Sequence, residues 1–299
     1  VHSTDKTILV TGASSMIGVF LLPCLADCGF RIRAISRRHP GGVSDPDAMV
    51  YWHNPDEIRA DTGWLSGIHA VIHLAPLVTL PPLIPVLAGA GVKRLIAFGS
   101  TSVFSKRLSP DVREAGLSRA LETAEAETAR LAETSGMAWT IFRPTLIYAP
   151  GLDSNVTTIA RFIARFGFFP LVGQGTGRRQ PVHAEDLAHA CLSALDNPLT
   201  YGKAYNLSGG ETLSYRDMVI RLFGYLERPV RLVTVPLSLL RGGLTLLSGL
   251  PGYRYLTPEM ANRMNRDLCF EAVGARQDFG FAPRRFLEKK ADHTGDSPA

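Results

Sequence analysis

Lys6 to Gly18 reads KTILVTGASSMIG, and no other stretch narrows the fold as much. Thr7 to Val10 is a short apolar, β-branched run, the signature of a buried parallel strand. Thr11 to Ser15 is small-residue turn chemistry, and Met16 to Leu22 opens a helix. Strand, glycine turn and helix in that order make a phosphate site. The first helical amides lack intrahelical acceptors and carry partial positive charge, and missing side chains let a pyrophosphate approach. The segment therefore points to a dinucleotide. Ser15 stands where the middle glycine of a Gly-x-x-Gly-x-x-Gly pattern falls, so an ordinary ligand-free βα turn explains Gly12 and Gly18 equally well.

The next segment tips the balance. Arg31 to Arg38 reads as a second strand with a basic end and contains no Asp or Glu. In a dinucleotide fold this strand end meets the adenosine ribose, where a carboxylate favours a free 2′-hydroxyl and an arginine favours a 2′-phosphate. Arg37 and Arg38 argue for NADP over NAD, with NAD still admissible; two solvated arginines are the alternative.

The chain has 299 residues, enough for one large domain or a domain plus a lobe. The net charge is +5, but the basic residues are scattered, with no like-charge run and no basic stripe interleaved with aromatics. Nucleic-acid binding is not expected. Cys24 and Cys28 are spaced to share a helix face as a metal pair, yet no matching pair follows, so no metal is expected and they read as small packing residues. The cysteine usage suits a reducing cytoplasm, and no signal peptide precedes the first strand. Val233 to Leu250 is apolar but interrupted by Pro236, Arg241, Gly242 and Gly243, too broken to span a bilayer.

Strands over 70–75, 94–100 and 139–144 alternate with helices over 83–90 and 119–133. This order predicts an α/β fold, a doubly wound parallel sheet of the Rossmann type. On the second helix Leu121, Ala124, Thr128, Leu131 and Ala132 share a face, with Glu125 elsewhere. After Pro150 the texture changes. Helices are expected over 156–166, from His183 to about 197, after Tyr215 and over 254–263, with a strand at 204–207. The expected organisation is a dinucleotide domain over 1–151, to which 183–208 returns. A smaller substrate lobe takes 152–182 and 209–287, and 288–299 is a disordered tail.

Several blocks stand in a familiar order: TGASSMIG at 11–18, HLA at 73–75, VKRLIAFGSTSVF at 92–104, WTIFRPTLIYAPG at 139–151, GRRQPVHAEDLA at 177–188 and AYNLSGGETLS at 204–214. With them the chain, from about Lys6 to Phe286, resembles the extended short-chain dehydrogenase/reductases, the NAD(P)-dependent epimerase/dehydratase group. The resemblance implies that Gly12, Ser14, Ser15, Met16, Ile17 and Gly18 line the pyrophosphate. It runs Leu74, Ala75 and Pro76 along the coenzyme and packs Pro144 to Ile147 near the nicotinamide. Ser100 matches the serine that hydrogen-bonds a reacting oxygen. Ser102, Asn155, Arg178 and Arg179 fall where relatives hold a small-molecule substrate, often a nucleotide diphosphate sugar, whose phosphates suit the arginine fork. For the two arginines, loop solvation or a salt bridge with Glu185 or Asp186 is the alternative. His183 reads as structural.

One departure stands out. Active members carry Tyr-x-x-x-Lys on the helix after Ser100, a spacing that puts both groups on one face. Here the aligned positions hold Arg119 and Thr123 or, slipped by two residues, Leu121 and Glu125. Three readings follow: a proton supplied by Tyr148, His183, Ser100, Ser102 or water; coenzyme binding without chemistry, as in a sensor or structural subunit; or a reaction without net hydride transfer. Ser100 and Tyr148 are the candidates for catalysis. The aliphatic run from Pro236 to Leu250 reads as a lid over an apolar substrate, a packing face or a homodimer face. Phe162, Phe166, Phe168 and Phe169 read as core.

Overall fold

Seven strands form one parallel sheet in the order β11-β6-β5-β4-β1-β2-β3. They are β1 (Thr7–Thr11), β2 (Arg31–Ile35), β3 (Val50–His53), β4 (Ile68–His73), β5 (Arg94–Phe98), β6 (Ala138–Pro144) and β11 (Lys203–Leu207). A computed structural model of the chain describes residues 6–37, 49–60, 62–107, 109, 111–236, 238 and 264–288. Arg38, the aliphatic run beyond Pro236 apart from Ser238, the helix expected over 254–263 and the tail beyond Glu288 lie outside those residues.

Both faces of the sheet are covered, so apolar residues of its central strands point to both sides. Ile8, Val10, Ile32, Ala34 and Ile72 point to one core, which α1 (Met16–Asp27) closes with Leu21 and Leu25, and α7 (Ala184–Leu195) with Leu187 and Cys191. Leu9, Val71, Leu95 and Ala97 point to the other, closed by α3 (Ile84–Gly89) and α5 (Val112–Thr134). β1 pairs with β2 on one side and β4 on the other, and Thr11 is level with both Ile35 and His73. The strand order reverses at this point, and the crevice beyond the strand ends is where such sheets bind ligands.

A third core, distinct from the two flanking the sheet, joins α6 (Val156–Phe166), α8 (Tyr215–Tyr225) and β8 (Phe169–Val172), which pairs with β13 (Leu232–Val235). It contains Phe169, with Phe162 packed against it. Two short pairs link this lobe to the sheet region. β7 (Ile147–Tyr148) runs parallel to β10 (Val182–His183), and β9 (Arg178–Arg179) runs antiparallel to β12 (Leu213–Ser214).

Several elements differ from the expectation for physical reasons. β2 stops at Ile35, leaving Arg37 in an exposed bend beyond it, and β5 stops at Phe98, leaving Ser100 in a turn. α5 begins seven residues early because Asp111 caps it, accepting the amides of Arg113 and Glu114 at 2.8 and 3.3 Å. β3 was not expected at all. Its four residues are half-buried at the sheet edge and show no alternation. Glu125, placed by periodicity away from the apolar face of this helix, is buried all the same.

Arg94 anchors the sheet without a carboxylate partner in contact. Its guanidinium donates to the carbonyls of Leu195 at 2.8 Å and Ala194 at 2.7 Å, the C-terminal end of α7, and to Thr140 Oγ1 at 2.8 Å. Helix C-terminal carbonyls attract cations, and here they compensate a buried one. Burial pulls the Arg94 pKa down to about 10, leaving it charged at neutral pH. Replacing it with leucine strands these carbonyls without donors. Arg94→Leu is expected to lower the unfolding free energy in urea by about 3 kcal/mol; a loss under about 1 kcal/mol would contradict this role.

Candidate active site

The turn between β1 and α1 is shaped by two close backbone contacts. Gly12 has φ +67°, and a Cβ there would lie 2.5 Å from the Ala75 nitrogen. At Gly18 a Cβ would lie 2.0 Å from the Ala13 carbonyl oxygen. Ser15 explains how the turn dispenses with its middle glycine. Its backbone is extended (φ −69°, ψ 164°), so no glycine is needed, and its hydroxyl folds back to accept the Gly18 amide at 3.3 Å. The amides of Met16 and Ile17 occupy the first turn, where no intrahelical acceptor exists. The chain thus offers what a dinucleotide pyrophosphate requires: helix-start amides, a tight turn and no protruding side chain. At the end of β2, Ser36 is buried and its hydroxyl lies 2.6 Å from that of Ser14. Among the described residues no acidic side chain occupies that strand end.

His73 braces the same turn from β4. Its Nδ1 lies 2.7 Å from Thr11 Oγ1, and Nε2 faces the Pro76 carbonyl and Thr79 hydroxyl at 3.4 Å. The Leu74 amide donates to the Thr11 carbonyl at 2.8 Å. Leu74, Ala75 and Pro76 are therefore held beside Gly12. Burial pulls the His73 pKa down to about 4, so its ring is neutral at pH 7.

From this turn a cleft of about 500 Å³ runs between the sheet and the lobe. Met16, Ser100, Ser102, Ile147, Asn155 and Arg179, all named from the sequence, line it together. Ser100 Oγ accepts the Ser102 amide at 3.1 Å, which leaves its hydrogen available to an acceptor in the cleft. The Pro144 carbonyl ties the next strand to this turn by accepting the Thr101 amide and hydroxyl at 3.2 and 3.1 Å. Asn155 occupies the N-cap position of α6 but does not cap it. Asp153 does so, accepting the amides of Asn155 and Thr157 at 2.8 and 3.1 Å, and the Asn155 side chain stays out of the cap.

Tyr148 departs from the expectation. Its side chain is 1% exposed and packs in the lobe core, edge-on to His183 and Phe286. Its oxygen accepts the Leu287 amide at 3.0 Å, and burial pushes its pKa up to about 12. Its hydrogen faces the Arg285 carbonyl at 3.5 Å and the residue does not line the cleft, so it is poorly placed to donate a proton there. His183 is a cap, its Nδ1 accepting the Glu185 amide at 3.2 Å. The arginine pair divides. Arg178 is exposed and bound to Asp267 at 3.0 Å, outside the cleft lining, whereas Arg179 is buried and lines it. Neither pairs with Glu185 or Asp186, which hold Arg284 at 2.5 and 2.9 Å.

On α5 Arg119 and Thr123 are exposed, while Leu121 packs on the second core. Glu125 reaches under the Ser100 turn. Its Oε2 takes Arg143 at 2.6 Å, and a Cβ on Gly99 would lie 2.5 Å from its Oε1. Sequence reasoning missed this contact, together with Lys106, Glu114, Arg266 and Phe270, which also line the cleft. The Glu125–Arg143 pair had no local signal, because its partners sit on different elements. All four cysteines are free thiols. Among the described residues no helix is long and apolar enough to cross a membrane.

Comparison with known proteins agrees with this geometry. A family model described as the NAD dependent epimerase/dehydratase family matches residues 8–208. The 2-alkyl-3-oxoalkanoate reductase of Stenotrophomonas maltophilia is 25% identical over 323 residues, spanning 94% of this chain and 96% of its own. A (4-alkanoyl-5-oxo-2,5-dihydrofuran-3-yl)methyl phosphate reductase of Streptomyces griseus is 30% identical over 243 residues, 75% of each chain. The solved structure of MoeE5 in complex with UDP-glucose and NAD superposes with a TM-score of 0.70 at 19% identity, covering 95% of both chains. The last likeness is one of fold.

Two outcomes follow from the turn. Gly18→Ala has no room for its methyl group and is expected to lose about 2 kcal/mol or more of stability in thermal melts. Nicotinamide coenzyme binding should fall with it. His73 makes stability depend on pH. Between about pH 4 and the ordinary value of 6.5 the unfolded chain binds a proton that the folded chain does not. Its contribution is full above that range and declines as pH falls towards 4, by about 3 kcal/mol in all. His73→Asn should flatten this part of the stability–pH curve measured by urea unfolding.

Proposed function

Because the chain belongs to the NAD-dependent epimerase/dehydratase family, we propose that it is an NADP(H)-using oxidoreductase or epimerase-type enzyme acting on a nucleotide sugar or another hydroxy or carbonyl compound. The observation that carries this reading is the continuity of the cleft from Met16, in the first turn of α1, to Ser100. When bound, the nicotinamide coenzyme supplies the hydride chemistry. The chain's own residues bind and orient. Gly12, Ser14, Ser15, Ile17 and Gly18 surround the pyrophosphate, Leu74 to Pro76 run beside it, and Pro144 and Ile147 back the nicotinamide. The Ser100 hydroxyl donates to the reacting oxygen, with Ser102 beside it. Asn155 and Arg179 hold the substrate from the lobe side, and Arg178 acts at most from the rim.

The proton route differs from that of relatives carrying a tyrosine–lysine pair. α5 contains neither residue, and the engaged Tyr148 hydroxyl favours Ser100 or water as the donor. The same observation favours a second reading, coenzyme binding without turnover. Tight NADPH binding with no change in absorbance across a panel of carbonyl compounds and nucleotide sugars would support that second reading. The free thiols suit work in a reducing cytoplasm.

Coenzyme preference rests on the strand end that lacks an acid. Ser36 and Arg37 suit a 2′-phosphate, and Arg38 follows in sequence. Arg37→Asp is expected to weaken NADPH about tenfold or more while changing NADH little, as read by fluorescence titration. Equal losses for both coenzymes would exclude 2′-phosphate recognition by Arg37.

A further inference from the structure

Lys106 lies in the cleft and has no part in the coenzyme reading. It closes α4 (Ser102–Ser105), its amide donating to the Ser102 carbonyl at 3.1 Å. Its ammonium sits 3.3 Å from Glu114 Oε1, in the first turn of α5. The other Glu114 oxygen accepts the Ser109 hydroxyl at 3.0 Å. A solvent-exposed lysine–glutamate pair contributes little. This one is only 20% and 17% exposed, so its charges act with less screening. An ammonium has three donors. Glu114 engages one at a long distance, which leaves capacity for a second acceptor in a cleft shared with Ser100, Ser102 and Ser105.

We infer that Lys106 is the binding cation for an acid group of the substrate, and that this acid is a carboxylate near the reacting carbon. The inference deepens the proposed function, since Ser100 marks the reacting oxygen. A carboxylate fits better than a phosphate. Glu114 offsets the single charge of Lys106 and would repel a dianion, whereas a monoanion shares the ammonium and accepts from the serine hydroxyls. Glu114 holds the lysine in place. On the lobe wall Arg179 and Arg266 are cations separate from Lys106.

The test is isothermal titration of the whole chain with NADP⁺ present, using UDP-glucuronate and UDP-glucose, which differ only in a carboxylate against a hydroxymethyl group. The wild-type chain is expected to bind the uronate about tenfold or more tighter. Lys106→Met should erase the preference while holding UDP-glucose affinity within about twofold, and Glu114→Gln should keep or increase it. Lys106→Gln repeats the measurement should the methionine variant fold poorly. Equal wild-type affinities, a preference that survives loss of Lys106, or binding of neither sugar would overturn the inference. NADPH titration of the same proteins separates the two readings. Coenzyme binding without a carboxylate preference overturns only the Lys106 assignment, and a preference without coenzyme binding overturns only the coenzyme reading.

Discussion

Backbone pressed against backbone at Gly12 and Gly18 is the constraint on which the rest of this molecule depends. The Ala13 carbonyl lies where a side chain at position 18 would stand, and the Ala75 amide lies where one at position 12 would stand. Three elements, β1, α1 and the segment after β4, can converge only because these two residues have no Cβ. Their convergence aims the first helical amides at the crevice beyond the strand ends, and it brings Met16 into the cleft that Ser100 lines. Without that approach the sheet would remain, but its charge-seeking end would open elsewhere.

Buried polar groups secure the surroundings of this crevice. Arg94 clamps the end of α7 to the sheet through carbonyls, Glu125 grips Arg143 beneath the Ser100 turn, and neutral His73 props the segment beside Gly12. Each group is costly to bury; Arg94 and His73 are held by directional partners, whereas Glu125 binds Arg143 through Oε2 and keeps Oε1 buried without a partner. The Glu125–Arg143 pair is instructive because it fills space beneath the Ser100 turn with an ion pair. Among the described residues, the polar side chains lining the cleft include the serines of the 100–105 stretch, Lys106 with Glu114, Asn155, and the cations Arg179 and Arg266.

Legibility in the sequence followed the range of the forces involved. The β1–turn–α1 unit, the parallel alternation and the helix over 156–166 were readable because periodicity, caps and glycine turns act within a few residues. The six cleft-lining residues anticipated from the sequence were carried mainly by the motif blocks shared with the epimerase/dehydratase family. The misses share one cause. Tyr148 reads as a candidate donor until Arg285 and Leu287, 137 and 139 residues later, are seen to take its hydrogen and its oxygen. Arg178 reads as a phosphate ligand until Asp267 takes it, and Glu125 reads as lying off the packed face until β6 brings Arg143 to it.

What the amino-acid order alone determined is the architecture, because a short apolar strand, a glycine turn and a helix start, followed by alternating strands and helices, specify a parallel α/β sheet. It also determined that α5 carries neither tyrosine nor lysine. What only the tertiary structure decided is which polar side chains remain available for chemistry. That depends on partners distant in sequence: a carboxylate or hydroxyl claimed by a remote amide or guanidinium is lost to the cleft, and Lys106 and Ser100 were left within it.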